Sequence, residues 1–461
     1  MTQYLPILGA GVLLFAVAIS PLRVRVHVFA IGLLVAMGLL PWRFSLGPVV
    51  WHVGVDSHQT SPWLYWVPVL LIALFADRRA RAPAWLMVYL IATAVFFLIS
   101  STIIWEGLPN EWSGAIHYIF GAFALVAGYR LQVSMRFAQG LERTVVVVMA
   151  VTLILQVPIE LAQLAGIPLT IFGDLKTLMV DGRPIGTFNH PTAVGKVAVL
   201  LAVPLLMGLG SEDPKTRRWV WVGLTAGFFA TALTVSRANL VAVVMTGLIW
   251  ALLARQSEMK VTVKVLSGIA LILMSIPFVG LLVERSLEES TFGGGRSYLI
   301  PVGLDAIGRS PLTGVGPNNY VEGVGVFDPV VASGVPVHSA PLFIAGEIGI
   351  PGAILLMLPL VVVAVSALGK VRADGETGAA SRAFTASFPG MMLIALTGWG
   401  MLGEQIFALW WFVVGYSGAP ILGSRPQSLQ VTPTDHVLSR QSAHVATLRT
   451  TGLPHGTTRD A

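Results

Sequence analysis

Residues 339–368 read SAPLFIAGEIGIPGAILLMLPLVVVAVSAL, thirty residues with a single ionisable side chain, Glu347. About 20 consecutive apolar residues are enough for a helix to cross the hydrocarbon core of a bilayer. The run therefore predicts a transmembrane helix, because only helices and closed barrels satisfy their backbone hydrogen bonds inside a membrane. Similar apolar runs recur along nearly the whole chain, so this stretch is typical of the fold.

The overall composition agrees with a membrane protein. Of 461 residues, 55% are hydrophobic and 11% are charged, whereas soluble domains contain about 25% charged residues. Thirteen apolar runs are candidate spans, near residues 4–20, 25–41, 63–76, 83–105, 113–129, 144–167, 190–209, 218–235, 238–254, 262–283, 339–368, 384–402 and 405–421. The third run is short and the first two are compatible with a hairpin, so twelve is the alternative count. We predict an all-α polytopic integral membrane protein with 12–13 transmembrane helices.

The basic residues orient the predicted spans. Lys and Arg cluster in alternate short loops and in the C-terminal tail, and this side holds 21 of the 29 basic residues. The positive-inside rule places that side in the cytoplasm, so the N-terminus is predicted outside and the C-terminus inside. The longest outer segments are then residues 168–189 and 284–337. A loop as long as the second is uncommon unless it has a function. The net charge of +6 reflects this topology, and nucleic acid is not predicted as a partner.

Three regions are predicted from the distribution of apolar runs. They are N-terminal transmembrane helices over 1–143, a transmembrane core over 144–422 that includes the outer loop 284–337, and a disordered cytoplasmic tail over 423–461. The first helix lacks a positively charged leading segment and is predicted to stay uncleaved. The absence of cysteine excludes disulfides and thiolate chemistry.

Two arginines stand out on the predicted outer side. Arg237, in TVSRAN, lies where the positive-inside rule disfavours a cation. It is either a snorkelling arginine whose charged head reaches the headgroup region or part of a functional site. Arg296 follows a glycine run, GGGRS, whose backbone can approach a ligand closely. The next residues, LIPVGLDAIGRS, are predicted to form a short amphipathic helix. Its apolar side is expected to contain Leu299, Val302, Leu304 and Ile307.

A histidine and a glutamate mark the long apolar run itself. His338 stands immediately before the run, and Glu347 lies nine residues further on. In one continuous helix this separation is about 900° of rotation and a rise of about 13 to 14 Å, so the two side chains would face opposite sides. A carboxylate within the membrane needs a partner. We predict a structural bridge from Lys196 to Glu347 or Glu160, with a proton relay as the alternative.

No familiar metal or nucleotide motif occurs in the predicted outer segments. They contain no DxD pair, HExxH, GxSxG or P-loop. A diphosphate bound on this side would have to be neutralised by arginines, whose guanidinium forks suit phosphate oxygens.

Four stretches, taken together, resemble the O-antigen ligase / O-antigen polymerase family of bacterial membrane proteins. They are GTFNHPTAVG (186–195), TVSRANLVAVV (234–244), GGGRSYLIPVGLDAIGRSPLTGVGPNNY (293–320) and VHSAPLFIAGEIGIPGAILL (337–356). Their order, spacing and predicted side agree with the family pattern over about residues 144–420. The chain departs from that pattern at Ser-Arg-Ala-Asn, where the family has an SRG-like element, and at Ser339, where Asn is frequent.

The resemblance implies a metal-independent enzyme of the bacterial inner membrane, without cofactors and with its active site facing the periplasm. Such an enzyme moves a glycan from an undecaprenyl diphosphate carrier to an acceptor hydroxyl. By the same resemblance, Arg237 and Arg296 would hold the carrier diphosphate, and His338 would act as general base or position the acceptor. Candidates for supporting roles are Asn189, Asn318, Glu347 and Lys196.

Several alternatives stay open from the sequence. A ligase would use lipid A–core as acceptor, a polymerase another carrier-linked repeat, and a related variant pilin or another protein. A transporter or flippase would show repeats, broken helices and ionisable residues near the bilayer midplane; Glu160, Lys196 and Glu347 are its only support. A peptidoglycan-type polymerase would use an outer aspartate, for which Asp305 and Asp328 are candidates.

Overall fold

A computed structural model describes residues 22–38, 80–105, 109–167, 169, 179–180, 182–188, 190–255, 268, 295–398 and 401–423. Contacts divide the chain into two units, Met1–Ile421 and Leu422–Ala461. The predicted spans 4–20 and 63–76 lie outside the described residues, as does 262–283 apart from Gly268. The predicted tail is also outside them from residue 424 onward. The division into regions at residues 143 and 422 stays a prediction.

The described part of the chain is built from α-helices, as predicted. They are α1 (Leu22–Gly38), α2 (Ala84–Ile99), α3 (Pro109–Met135), α4 (Leu141–Leu164), α5 (Pro191–Gly208), α6 (Pro214–Leu233), α7 (Arg237–Leu253), α8 (Gly295–Arg309), α9 (Tyr320–Gly325), α10 (Pro329–Ala332), α11 (Ala340–Lys370), α12 (Gly375–Leu396) and α13 (Glu404–Leu422). A π-helical turn, Ser100–Ile104, extends α2. Two short strands, β1 (Met179–Val180) and β2 (Arg183–Pro184), pair antiparallel with Val180 opposite Arg183.

Seven described helices are long and apolar enough to cross a membrane, and α1 and α7 contain shorter apolar segments. This confirms the prediction of an all-α polytopic membrane protein. The two most enclosed spans are α5 and α13, where 89% of the apolar window is buried, against 33% in α2 and its extension. Helix α5 packs against α4, α6, α7 and α12, while α12 also packs along α7 and α11. The bundle core therefore lies around α5 and α12.

Two glycines bring the backbones of α3 and α13 into contact. A Cβ on Gly128 of α3 would lie 2.0 Å from the carbonyl oxygen of Phe412, and a Cβ on Gly415 would lie 1.8 Å from that of Leu125. Real Cβ atoms essentially never come within 3.0 Å of another group, so a larger residue at either position forces the helices apart. Small residues at such crossings are a common feature of helix packing in membranes.

Replacing Gly415 with alanine is expected to destabilise the bundle by about 1–3 kcal/mol, because the added methyl group overpacks the crossing. Thermal unfolding of the detergent-purified protein should begin at a lower temperature. Gly369→Ala is the matched control, since a Cβ on Gly369 meets nothing within 4 Å and alanine favours the helix. Equal unfolding temperatures for the two variants would contradict the close approach of α3 and α13.

Helix α11 is broken near its N-terminal end. Gly349 has φ 69° and ψ 171°, a conformation that glycine adopts without steric penalty. In a regular helix the carbonyl of Glu347 would accept a hydrogen bond from residue 351, but Pro351 has no N–H to donate. The sequence GEIGIP thus combines a residue that permits the break with one that prevents a regular helix there.

The break separates Glu347 from the longer part of α11. Beyond Gly349, exposed apolar side chains form a stripe of the kind that faces lipid: Ile350, Ile354, Leu358, Val361, Val362, Val365 and Leu368. Residues 350–370 alone measure about 31 Å, the thickness of the hydrocarbon core. Residues 340–348 are all buried or half-buried, so they lie against protein. Glu347 therefore precedes both the break and this stripe, and the prediction of one continuous regular helix over residues 339–368 is wrong. The depth of Glu347 in the membrane stays a prediction.

Two further expectations differ from the structure. Ser339 is the N-cap of α11, so His338 precedes the helix and the predicted 900° rotation between His338 and Glu347 does not apply. The amphipathic helix after the glycine run is confirmed as α8, and Leu299 is buried on it as predicted. Leu304, however, is 55% exposed. The buried face is completed instead by Gly303 and Ala306, where small residues allow α8 to pack closely on α11.

Candidate functional site

A loop formed by residues 311–319, here called the glycine loop, is seated in the break of α11. Three backbone hydrogen bonds join them: Val315 N to Gly346 O (2.9 Å), Gly316 N to Glu347 O (2.8 Å) and Ile350 N to Pro311 O (2.8 Å). Gly314 has φ 67°, and a Cβ there would lie 2.3 Å from the Glu347 carbonyl oxygen. The motif PLTGVG therefore satisfies the carbonyls that the break frees, and its glycines permit the close approach.

The side chain of Glu347 points to α3, where the Tyr118 hydroxyl donates a 2.6 Å hydrogen bond to Oε2. Tyr118 is buried and stacks on Phe97 of α2, with ring centroids 5.3 Å apart. Among the described residues, no ion pair or hydrogen bond joins Lys196 to Glu347 or Glu160. The predicted structural bridge is therefore wrong, because a tyrosine 229 positions away in sequence occupies the place expected for the lysine.

The other side of the glycine loop contacts the N-terminal end of α3. Asn319 donates a 2.9 Å hydrogen bond to Glu111, and Trp105 donates one of 3.0 Å to the Thr313 carbonyl. Asn318 is 2% exposed, and neither polar atom of its amide has a partner among the described residues. Sequence reasoning missed Trp105 and Glu111, which lie in a region where hydropathy was the only signal.

His338 is held between α8 and the start of α11. Its neighbours Val337 and Ser339 are both buried, and a Cβ on Gly303 of α8 would lie 3.1 Å from the Val337 side chain. His338 itself is half-buried, so its imidazole combines a fixed backbone with access from one side. Arg296 is the second residue of α8, seven positions before Gly303 and therefore about 10 Å away along the helix. The predicted base thus lies beside α8, the helix that also contains Arg296 near its start. The side chain of Arg296 is not among the described ones.

Tyr320 packs against the first turns of α11. Its ring stacks on Phe343 with centroids 4.6 Å apart, and a Cβ on Gly346 would lie 2.7 Å from it. Burial raises the pKa of the Tyr320 phenol well above its ordinary value, and the charges of Glu347 and Asp328 raise it further. The phenol therefore stays neutral and acts as a packing element under the start of α11.

The two outer aspartates have structural partners. Asp328 is the N-cap of α10, where Oδ1 accepts hydrogen bonds from Val330 N and Val331 N and Oδ2 accepts one of 2.6 Å from the Tyr298 hydroxyl. Burial tends to raise the pKa of Asp328, but these hydrogen bonds outweigh it and hold the pKa below its ordinary value. Asp305 forms an exposed ion pair with Arg309 at 2.8 Å. Both carboxylates are therefore engaged within the outer segment.

Because its pKa is lowered on folding, Asp328 should stabilise the outer segment above pH about 4, with the contribution lost as pH falls through the folded-state value. Limited proteolysis between α8 and α11 is expected to accelerate below that pH. Asp328→Ala should accelerate it at pH 7, with a cost of about 1 kcal/mol from the lost cap. Asp305→Ala is the control, since an exposed pair contributes little. Protection of Asp328→Ala equal to that of Asp305→Ala would contradict the role of the cap.

A second group of motif residues lies where the first turns of α5 and α7 meet. Asn239 donates a 2.9 Å hydrogen bond to the Thr192 carbonyl, and a Cβ on Gly195 would lie 2.5 Å from the Asn239 amide. His190 caps α5 by accepting from Thr192 N through Nδ1. Arg237 is the first residue of α7. The structure thus brings the stretches GTFNHPTAVG and TVSRAN together, while Asn189 lies outside the described residues.

The turn before Arg237 is strained. Val235 has φ 50°, a conformation that β-branched residues rarely adopt. Over the described ranges, Val235 and Asn318 (φ 62°) are the non-glycine residues with positive φ, and each lies in one of the motif stretches. Such strain costs about 1–3 kcal/mol and clusters at functional sites. No pattern in the sequence predicted this backbone strain.

A polar row on α4, formed by Gln156, Glu160 and Gln163, holds the segment that leads into this second group. Gln156 hydrogen-bonds the backbone and hydroxyl of Thr187, and Gln163 bonds the backbone of Ile185 and Gly186. Glu160 lies between them on the same face and is fully buried. Sequence reasoning singled out Glu160 alone, although the spacing of 156, 160 and 163 places all three on one helical face.

Residues 222–357 match the family model described as O-antigen ligase. This segment of the chain is therefore similar to O-antigen ligases. Among curated proteins, no match to the chain was found.

The matched segment includes α7, the outer helices α8 to α10 and the start of α11. It therefore contains Arg237, Arg296, the glycine loop and His338. Several residues that hold these elements in place lie outside it, in the N-terminal helices: Trp105, Glu111 and Tyr118. Helix α12, also outside the segment, packs against α7 of the second group and α11 of the first.

Proposed function

We propose that this protein is a membrane glycosyltransferase that moves a glycan from undecaprenyl diphosphate to an acceptor hydroxyl. The observation that carries the proposal is the match of residues 222–357 to the O-antigen ligase family, the segment that contains three of the four motif stretches. It is supported by the way these stretches are built: two seat on each other across the break in α11, and one contains a strained turn beside Arg237.

In the proposed reaction, the acceptor oxygen attacks the anomeric carbon of the carrier-linked sugar. The bond between that carbon and the diphosphate oxygen breaks, the proton of the acceptor hydroxyl passes to His338, and undecaprenyl diphosphate leaves. A neutral imidazole can accept this proton, and its half-buried position leaves one side open to substrate. Negative charge grows on the diphosphate during the step, so cations fixed beside it accelerate the reaction.

Arg237 and Arg296 are proposed to hold that diphosphate. A guanidinium donates two parallel hydrogen bonds to phosphate oxygens, and the charge is worth more at the rim of a bilayer than in water. Both arginines begin helices, α7 and α8, whose N-terminal ends carry a partial positive charge. The site is proposed to face the periplasm from the inner membrane, with the C-terminus in the cytoplasm. No metal or cofactor enters this proposal.

A transporter or flippase is the alternative from a different class, and the broken helix α11 resembles the discontinuous helices of such proteins. In transporters, however, unwound carbonyls coordinate the ion or substrate. Here the carbonyls of Gly346 and Glu347 accept hydrogen bonds from the glycine loop. The break thus anchors a loop, which favours the enzyme.

The proposal is tested by deleting the gene and complementing it with wild type, Arg237→Ala, Arg296→Ala or His338→Ala. Surface polysaccharide is then resolved on gels at matched protein levels. Loss of glycan transfer in all three variants is expected, and normal glycan in all three would overturn the proposal. A ladder collapsed to single repeats identifies a polymerase. Ladders retained on the carrier but missing from lipid A–core identify a ligase, the form that the family description favours.

A further inference from the structure

Lys196 is a buried cation whose role the proposed mechanism does not use. It lies in the second turn of α5 and is 5% exposed. Within the described ranges, Lys196 takes part in no ion pair or hydrogen bond. Neither glutamate that the sequence suggested as its partner pairs with Lys196: Glu347 accepts a hydrogen bond from Tyr118, and Glu160 lies in the polar row of α4. A buried ammonium group without a counter-ion is unfavourable, so its presence calls for an anion.

The ammonium group of Lys196 lies beside the end of α12. Its Nζ is 3.9 Å from the position that a Cβ on Gly398 would take, just past the C-cap Thr397. Cations near a helix C-terminus are stabilised by the helix dipole. A structural role for Lys196 at the end of α12 is therefore the competing explanation that any experiment has to separate.

Arg237 lies at this same end of the bundle. Helices α12 and α7 pack together at Gly390, where an added Cβ would lie 2.8 Å from the Ala242 carbonyl oxygen. From that contact, Gly398 is eight residues along α12 and Arg237 five residues back along α7, distances of about 12 and 8 Å in the same direction. A second contact joins α5 to α7, where Gly195 packs against Asn239. Lys196 is the residue after Gly195, and Arg237 stands two residues before Asn239.

The local charges at this end favour an anion. The N-termini of α5 and α7 meet there and carry partial positive charge, and Arg237 and Lys196 add two full charges. The C-terminus of α12 offsets about half of one charge.

We propose that Lys196 binds the diphosphate of the lipid-linked donor beside Arg237, as a third cation in addition to the two arginines of the proposed function. This inference rests on the proposed function and deepens it by adding a buried lysine to the residues that bind the diphosphate. Two arginines and a lysine match the charge of a diphosphate better than that of a monophosphate. Binding should therefore weaken from undecaprenyl diphosphate to undecaprenyl monophosphate, and this difference should depend on Lys196.

The test uses the purified full-length protein and measures its affinity for undecaprenyl diphosphate and undecaprenyl monophosphate. Lys196→Met is expected to weaken diphosphate binding by at least about tenfold, the size of one charge-assisted hydrogen bond, and to reduce the preference over monophosphate. Lys196→Arg should retain most of the affinity. Lys215→Met is the matched control, since Lys215 is an exposed lysine near the start of α6, and it should bind as wild type does.

Thermal unfolding of the same variants separates a binding role from a structural one. If Lys196 is kept for an anion, removing the unpaired charge should leave the unliganded protein equally or more stable. A lowered unfolding temperature for Lys196→Met together with unchanged diphosphate binding would assign Lys196 to the end of α12 and overturn the inference. If both stability and binding fall, recovery of binding in Lys196→Arg supports the inference and lack of recovery overturns it.

The two proposals fail in different ways. If wild type binds undecaprenyl diphosphate and Arg237→Ala weakens binding but Lys196→Met does not, the proposed function stands and the inference about Lys196 falls. If wild type itself binds no undecaprenyl diphosphate, the proposed function falls and the inference falls with it.

Discussion

Replacing His338 with asparagine is expected to lower the rate of glycan transfer by about 10²–10⁴-fold, the usual contribution of a general base. Asparagine preserves a polar side chain before the N-cap Ser339 but does not accept a proton at neutral pH. Protein level and thermal unfolding should change little, because the neighbouring Val337 and Ser339 hold the backbone. The measurement is the initial rate of transfer by purified protein with a carrier-linked donor.

The matched control is the same substitution at His190. This histidine also stands before a helix, α5, and its Nδ1 accepts the capping hydrogen bond from Thr192 N. Asparagine is a favourable N-cap residue, so His190→Asn keeps the cap while removing the imidazole. It should retain transfer within a few-fold of wild type. If His338→Asn retains as much activity as His190→Asn, His338 is not the base.

The second large effect is expected at Gly349. Alanine there is strained by the positive φ of 69°, and its Cβ would lie 2.5 Å from the Leu312 carbonyl group. Movement of the glycine loop to relieve this contact would break hydrogen bonds to Gly346 and Glu347 and leave their buried carbonyls unsatisfied, at about 1–3 kcal/mol each. We therefore expect a loss of about 3 kcal/mol or more of stability together with loss of transfer activity.

This prediction is checked by thermal unfolding and by protease cleavage within the glycine loop. Gly308→Ala, on the outer helix α8, is the control, because a Cβ there meets nothing within 4 Å. Cleavage in Gly349→Ala should be faster than in Gly308→Ala while the remaining helices stay protected. Equal protection in both variants would mean that the loop does not depend on the break in α11.

Hydropathy and charge predicted the membrane class because they are local properties of the chain. Each apolar run long enough to cross a bilayer forms a helix wherever the structure describes it, and the glycine-rich segment after residue 293 leads into the predicted helix α8. The break at Gly349 is also written locally, in GEIGIP, although reading that run as one helix overlooked Pro351. Motif residues that cap or end helices, such as His190, are local in the same sense.

The sequence did not predict which side chains from different helices form hydrogen bonds with each other. Glu347 pairs with Tyr118, 229 positions earlier, and Asn319 with Glu111, 208 positions earlier. Such pairs depend on which helices become neighbours, and hydropathy makes all apolar helices equivalent. The predicted bridge from Lys196 failed for this reason, since charge complementarity alone named several partners and packing selected another.

The sequence by itself determined that this chain is a polytopic membrane protein and that four of its stretches resemble O-antigen ligases, because apolar length and short residue patterns are read without knowledge of contacts. Only the tertiary structure decided that the glycine loop fills the break in α11, that Val235 and Asn318 are strained, and that Lys196 and Arg237 share one end of the bundle. These features arise from close packing between segments far apart in the chain, where the shape of each neighbour selects the partner.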